Sequence, residues 1–401
     1  GAAINERGRL TKNKNVTTNV SSNIRLTYNR VFAERHDLTI GGNMDYYLTD
    51  QDNVSITGYG VGTQMSPAAI NQSITGNRKP SVGSLKEKSA QVGLGLVFGY
   101  SFDSTYDLFA TYKADASSIL PADKRWNAAW AVGVGWTPTR YGFLRDSRVI
   151  TSLNLKASYG KMANLAGVSS ASAIGTFSYS TDFYGDARLL ELLAFYNTDL
   201  KPEQTESIDA GLSLELFKRV TFGVNFYRRD TEDALLSVPI PLSNGFSTML
   251  RNIGVLRNEG YELSASVKVV DRDPWRLWLR GSLAYNRNKV MDLYYADRIY
   301  ANAESIIPDY EVGKAYDMLY GLESLGIDPI TGLPVFRGAD GREIPATETP
   351  SKENIVALGH STPPYSGSIN VSLSYRSFDL DMDFYYVFGG VRPYNYSYVR
   401  T

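Results

Sequence analysis

The chain reads as all-β: an antiparallel sheet of about twelve strands, curved into a transmembrane β-barrel wall with long extracellular loops. Three observations predict this. First, apolar and polar residues alternate with a period of two, as in Val220, Phe222, Val224 and Phe226 against Thr221, Gly223 and Asn225. Second, the run Phe378-Asp379-Leu380-Asp381-Met382-Asp383-Phe384 sets three aspartates on one face and an unbroken apolar stripe on the other. One side must be wet and the other must meet an apolar medium, which a water-filled barrel in lipid supplies. Third, the links between alternating runs are short and long by turns, as in outer-membrane barrels.

The runs follow in order: 23–29, 38–47, 91–100, 106–117, 127–136, 153–160, 208–216, 220–228, 261–269, 275–285, 369–375 and 378–388. Links 30–37, 103–105, 217–219, 271–274 and 376–377 are tight or short, and 137–148 is moderate. At the other end, 48–90, 161–207, 229–260 and 286–367 are long, whereas 119–126 is not. A thirteenth strand over 316–324 would put the 376–377 turn on the outside and break the alternation, so 286–367 is expected to be one large excursion. Tyr46, Tyr100, Trp136, Tyr159 and Tyr285 fall near strand ends on the apolar face, where barrels carry aromatic girdles.

Composition narrows the function. Lys+Arg 41 against Asp+Glu 42 leaves no basic footprint for nucleic acid. Cysteine is absent and the only histidines are His36 and His360, which removes disulfides, thiolate zinc sites and cysteine nucleophiles and disfavours a histidine-centred triad. No motif calls for a cofactor or metal. The glycines of Gly93-Leu94-Gly95-Leu96-Val97-Phe98-Gly99 alternate strictly with no helix after them, so they read as small inward residues and not as a nucleotide loop. Arg78, Lys79, Lys86 and Lys88 read as a solvated loop.

Two groups are candidate sites. Asp379, Asp381 and Asp383 recur about 6.5–7 Å apart on one strand face, near the spacing of inverting glycosidase acids. Any polar barrel wall produces this spacing, so they read as solvated lumen wall, with an ion or substrate contact as the alternative and catalysis the most distant reading. Phe177, Tyr179, Phe183, Tyr184, Phe195 and Tyr196 crowd one outer loop, where they either recognise cargo or partner or pack against neighbouring loops. Asn225, Glu262, Arg276 and Arg280 are expected to wet the interior beside the aspartates.

Several phrases resemble one family. Tyr112-Lys113-Ala114-Asp115-Ala116-Ser117-Ser118, followed by Trp126 and Val132-Gly133-Val134-Gly135-Trp136, is similar to a segment of SusC/RagA-type TonB-dependent outer-membrane transporters. So are Leu155-Lys156-Ala157-Ser158-Tyr159-Gly160, Leu200-Lys201-Pro202-Glu203-Gln204-Thr205-Glu206 and Gly326-Ile327-Asp328-Pro329-Ile330-Thr331-Gly332. Asn252-Ile253-Gly254-Val255-Leu256-Arg257-Asn258-Glu259-Gly260-Tyr261-Glu262-Leu263 is the most specific match, and Leu358-Gly359-His360-Ser361-Thr362-Pro363-Pro364 completes the order. Lys113 replaces a common arginine, and Met162-Ala163-Asn164 departs from a small–Gly–Asn pattern.

The resemblance implies a non-enzymatic importer of glycans or oligopeptides in the Gram-negative cell outer membrane, bathed in outer-membrane lipid. Its implied partners are a SusD-type surface lipoprotein and the TonB complex, in a dimer of transporter–lipoprotein pairs. It implies a twenty-two-strand barrel, so residues 1–401 are expected to be a partial barrel, with the plug domain, signal peptide and final strands outside this sequence. A passive porin is the alternative, and a barrel enzyme a more distant one.

Overall fold

The computed structural model describes residues 9–58 and 81–392, apart from 166, 186 and 303. Twelve strands form one antiparallel sheet, each beside its neighbour in chain order. They are β1 (Leu10–Phe32), β2 (His36–Gly58), β3 (Ser81–Phe102), β4 (Tyr106–Ser117), β5 (Trp126–Trp136) and β6 (Ile150–Asn164). The remainder are β7 (Glu203–Leu216), β8 (Val220–Glu232), β9 (Val255–Arg272), β10 (Trp275–Asp292), β11 (Tyr365–Tyr375) and β12 (Phe378–Phe388). These are the twelve runs that alternation predicts.

Turns of two or three residues close β1–β2, β3–β4, β7–β8, β9–β10 and β11–β12 at one end. Ala33 and Glu34, Asp103 and Ser104, and Phe217 and Lys218 all have positive φ, as primed turns require to match the twist of the strands they join. The other end carries 118–125, 165–202, 233–254 and 293–364, while the link 59–80 lies outside the described residues. The segment Met318–Gly321 pairs with Val356–His360 outside the main sheet, so no thirteenth wall strand exists among the described residues.

Register keeps the two faces separate. Asn225 lies opposite Gly211 and Glu262, Glu262 opposite Ala284, and Ala284 opposite Ser366. One residue along, Val224 lies opposite Leu212 and Leu263, and Leu263 opposite Leu283. Asp379, Asp381 and Asp383 pair with Ser374, Ser372 and Asn370, on the polar face. A bulge between Lys268 and Val270 shifts the register by one residue so that Asp271 meets Arg276.

The apolar face is bare of protein: Leu26 is 76% and Leu96 63% exposed. An outward apolar surface this continuous needs lipid as its solvent. Among the described residues the buried apolar side chains lie elsewhere. Leu120, Ala173, Leu200, Ala234, Leu236, Ile253, Leu293, Ile299, Ile344 and Ile355 are in the outer connections, and Val290 is at the outer end of β10.

Two expectations are corrected. The stretch 48–90 is not a loop throughout, because β2 runs to Gly58 and β3 starts at Ser81. Thr49, Asp50, Gln51, Asp52 and Asn53 are polar on both faces, so alternation vanishes where both sides meet water although backbone pairing continues. Lys86 and Lys88 therefore sit on β3 opposite Asp52 and Asp50, while Arg78 and Lys79 lie outside the described residues.

Candidate functional site: the inner wall and the outer mouth

Small inward residues make room on the polar face. A Cβ at Gly93 would stand 2.5 Å from Asp115 Oδ1, and one at Gly211 the same distance from Lys156 Cε. The space holds polar ladders. Asn23 and Asn43 donate to Asp45, and Lys113 bridges Asp115 at 2.9 Å and Asp45 at 3.7 Å. Across β6 to β12 the same face lines a concavity of about 630 Å³ that includes Lys156, Asn225, Glu262, Ser282 and Tyr385. Asp383 belongs to such a ladder: its Oδ1 accepts from Asn370 Nδ2 at 2.8 Å, and Asn370 Oδ1 accepts from Arg280 at 3.3 Å. This arrangement suits a wetted wall.

The mouth is built by loops that fold inward. Leu256 and Val290 face each other on the polar side of the wall, two steps beyond Gly260 and Asn286. On them rests a cluster of Leu236, Ile253, Leu293 and Ile299, flanked by Val238, Tyr310 and Val312. The hairpin Leu235–Pro239 with Thr248–Asn252 supplies part of it. Burial pushes the Tyr310 hydroxyl up from its ordinary value, so it stays protonated. Asp317 ties the largest loop to the wall: its carboxylate accepts from Asn288 Nδ2 (3.1 Å), Ser361 Oγ (2.9 Å) and Thr362 N (2.5 Å). Burial alone would raise that carboxyl, but these donors hold it well below the ordinary range.

Above the cluster opens a cavity of about 730 Å³ with an aliphatic lining that includes Ile240, Leu242, Ile253 and Ile299. Its rim carries aromatic rings and cations, with Arg251 5.9 Å from the Tyr295 ring centre and Lys352 4.4 Å from that of Tyr300. It can take an apolar or planar group and an adjoining negative charge. Sequence reasoning missed these residues. They come from three separated segments, and the only local signal was a pair of tyrosines, Tyr294-Tyr295, in a long excursion.

The six loop aromatics divide. Phe177, Tyr179 and Tyr184 lie on the hairpin Phe177–Tyr184 with Ala187–Leu192, and Tyr184 is 83% exposed. Phe195 instead packs on Phe246 of the next loop at 6.0 Å, and Tyr196 covers Gly175, where a Cβ would come within 2.9 Å of its ring. The Phe183 side chain lies outside the described residues. Asp379, Asp381 and Asp383 sit on the sheet-edge strand β12 and are not brought to the mouth. Among the described residues no group of three or more histidines and carboxylates could hold a metal ion.

Comparison with known proteins agrees with this architecture. A family model described as TonB dependent receptor-like, beta-barrel, matches residues 3–401. TonB-dependent receptor P3 of Formosa agariphila is 26% identical over 404 residues, covering 93% of this chain and 39% of that protein. TonB-dependent receptor SusC of Bacteroides thetaiotaomicron is 26% identical over 294 residues, covering 66% and 29%. Among solved structures, the RagAB peptide transporter superposes with a TM-score of 0.82 at 23% identity, over 95% of this chain and 42% of that one. That likeness speaks to fold. The chain thus spans about two fifths of the length of the relative it covers best here.

Proposed function

The chain belongs to the TonB-dependent receptor β-barrel family of the outer membrane, and from that premise we propose that it is wall and mouth of an active importer for glycans or oligopeptides. In this reading β1 and β12, the two edges of the sheet, pair with further strands of a longer polypeptide, since open edges in lipid leave backbone groups unpaired. That polypeptide also supplies the plug and the segment that engages the TonB complex. A SusD-like lipoprotein covers the mouth, and the importer works as a dimer of such pairs.

The observation that carries the proposal is the contrast between the two ends. One end closes in turns of two or three residues except for the moderate link 137–149, whereas the other is a cored, inward-folded mouth that presents Phe177, Tyr179 and Tyr184 to solvent. A passive pore needs no such surface, and ordered aromatic side chains are favoured contact groups. Asp379, Asp381 and Asp383 then serve as polar wall on the cargo path, and chemistry on the cargo is not part of the reading.

The test replaces Phe177–Leu192 by a short Gly–Ser linker in the full-length protein. Pull-down of the lipoprotein and growth on the cargo as sole nutrient are measured, with barrel abundance in the membrane as control. Weaker docking or uptake at unchanged abundance is expected. If both persist undiminished, the exposed aromatics are not the recognition surface.

A further inference from the structure

We propose that the outward face of the mouth carries a binding site for a phosphate group of an outer-leaflet glycolipid, formed by Arg287, Lys289 and Lys314 with His360. A row of rings fixes the level of the lipid boundary. Tyr261, Tyr285, Tyr365 and Phe388 follow one another across β9 to β12, with successive centroids 5.2, 4.9 and 4.8 Å apart. Such rings sit at the headgroup level. Arg287 and Lys289 share the lipid-facing side of β10 with Tyr285, about 7 and 13 Å further along the strand. They stand where the phosphates of a lipid leaflet lie.

The great loop adds the third cation. Gly313 N donates to Val290 O and Val290 N to Lys314 O, both at 2.8 Å, which sews the loop to the free edge of β10. A Cβ on Gly313 would lie 4.0 Å from Lys289 Cε, so Lys289 and the 313–314 segment share one side. Together with Tyr285, Tyr365 and His360 they line a cavity of about 310 Å³ that has no acidic residue in its lining. His360 Nδ1 donates to Thr362 O at 2.7 Å, leaving Nε2 as its remaining ring nitrogen.

Several other cations on this face are held in ion pairs. Lys161 pairs with Glu206 at 3.2 Å, and Arg228 and Arg257 share Asp230 at 2.7 and 2.6 Å. Arg287, Lys289 and Lys314 have no ion pair within 4 Å among the described residues. Glu259, across the strand from Arg287, does not bridge it, and Arg257 rather than an acid faces Lys289. Asp317, on the same loop, has both oxygens engaged by Asn288, Ser361 and Thr362. Three positive charges gathered around one cavity repel one another, and a bound phosphate relieves this.

The full-length transporter, delipidated and placed in nanodiscs of neutral lipid, would be titrated with diphosphoryl lipid A, with the same lipid dephosphorylated, and with inorganic phosphate. Diphosphoryl lipid A is expected to bind, and to bind less tightly as salt rises. The triple variant Arg287→Gln, Lys289→Gln, Lys314→Gln should bind it roughly a hundredfold more weakly. The charge-conserving set Arg287→Lys, Lys289→Arg, Lys314→Arg should keep most of the affinity. Should the triple variant not fold, Lys314→Gln alone, in the loop, is expected to weaken binding about fivefold. Equal binding of dephosphorylated lipid A, or unchanged binding by the Gln variants, overturns the site. Inorganic phosphate binding as tightly as the lipid would make it a free-anion site and overturn the lipid assignment.

Discussion

Replacing Leu279 by arginine tests the membrane frame most directly. On β10 the lipid-facing rings Trp275 and Tyr285 mark the two boundaries, Trp275 packing tilted against Tyr375 with centroids 4.2 Å apart and Tyr285 against Tyr365 at 4.9 Å. Ten residues at about 3.4 Å span ~34 Å along the strand, and a tilt near 40° reduces this to ~26 Å, matching the ~25 Å apolar band of such barrels. Leu279 faces lipid between Val267 and Val371, about 10 Å from the Trp275 level and so within a few ångströms of the midplane. An arginine there should cost about 2–4 kcal/mol. The comparison variant is Ala284→Arg, on the inner face opposite Glu262, where the new charge is solvated and faces a carboxylate. Denaturant titration of the full-length barrel refolded into vesicles measures both. If Leu279→Arg is no more destabilising than Ala284→Arg, the assignment of the two faces is wrong.

Two further predictions concern the polar wall and the loop anchor. Gly93→Val must displace the Lys113–Asp115 pair and should cost about 1–3 kcal/mol in the same titration, whereas Gly99→Val, whose nearest neighbour would be Thr39 Cβ at 3.6 Å, should be tolerated. Asp317→Ala strands the Thr362 N–H and should cost the loop anchor about 1–3 kcal/mol, read as faster proteolysis within 293–364. Because the Asp317 carboxyl is held below its ordinary value, its contribution is complete above the ordinary carboxylate range and is lost as pH falls through the lowered value. Protease resistance of the wild-type loop should therefore persist at mildly acid pH and fail only in strong acid, and a loss already at pH near 6 would contradict the anchor.

The wall was legible because lipid and water on opposite faces stamp a period of two on every strand they share. Above the membrane both faces meet water, and the stamp disappears. Leu10 to Val20 and Thr49 to Gly58 therefore gave no signal although they pair residue for residue. The loop core escaped for a different reason. Leu236, Ile253, Leu293 and Ile299 are scattered through two connections and meet only when the loops fold over Val290. Composition singled out the aromatics of 165–202 but could not divide them, since whether Phe195 packs or projects depends on Phe246, fifty-one residues away. The cavity bordered by Arg251, Tyr295 and Tyr300 has no sequence trace of its own, because non-local contacts create it.

The strands rise to uneven heights above the girdle. The girdle crosses β2 near Tyr46, yet β2 continues to Gly58 and its partner β1 back to Leu10, about twelve residues or ~30 Å above the lipid after allowing for tilt. Next to them β4 ends at Ser117 and β5 begins at Trp126, joined by the low link 118–125. The rim thus drops from β3 to the 118–125 link, and the loop 165–202 crosses that drop: Ser170 Oγ donates to Glu87 Oε1 on β3 at 2.8 Å, and Lys124 of the low link pairs with Asp199 at 2.9 Å. The tall strands and the low link are therefore tied together by the loop that follows β6, so that β3 to β6 meet the solvent as one braced rim and not as separate hairpins.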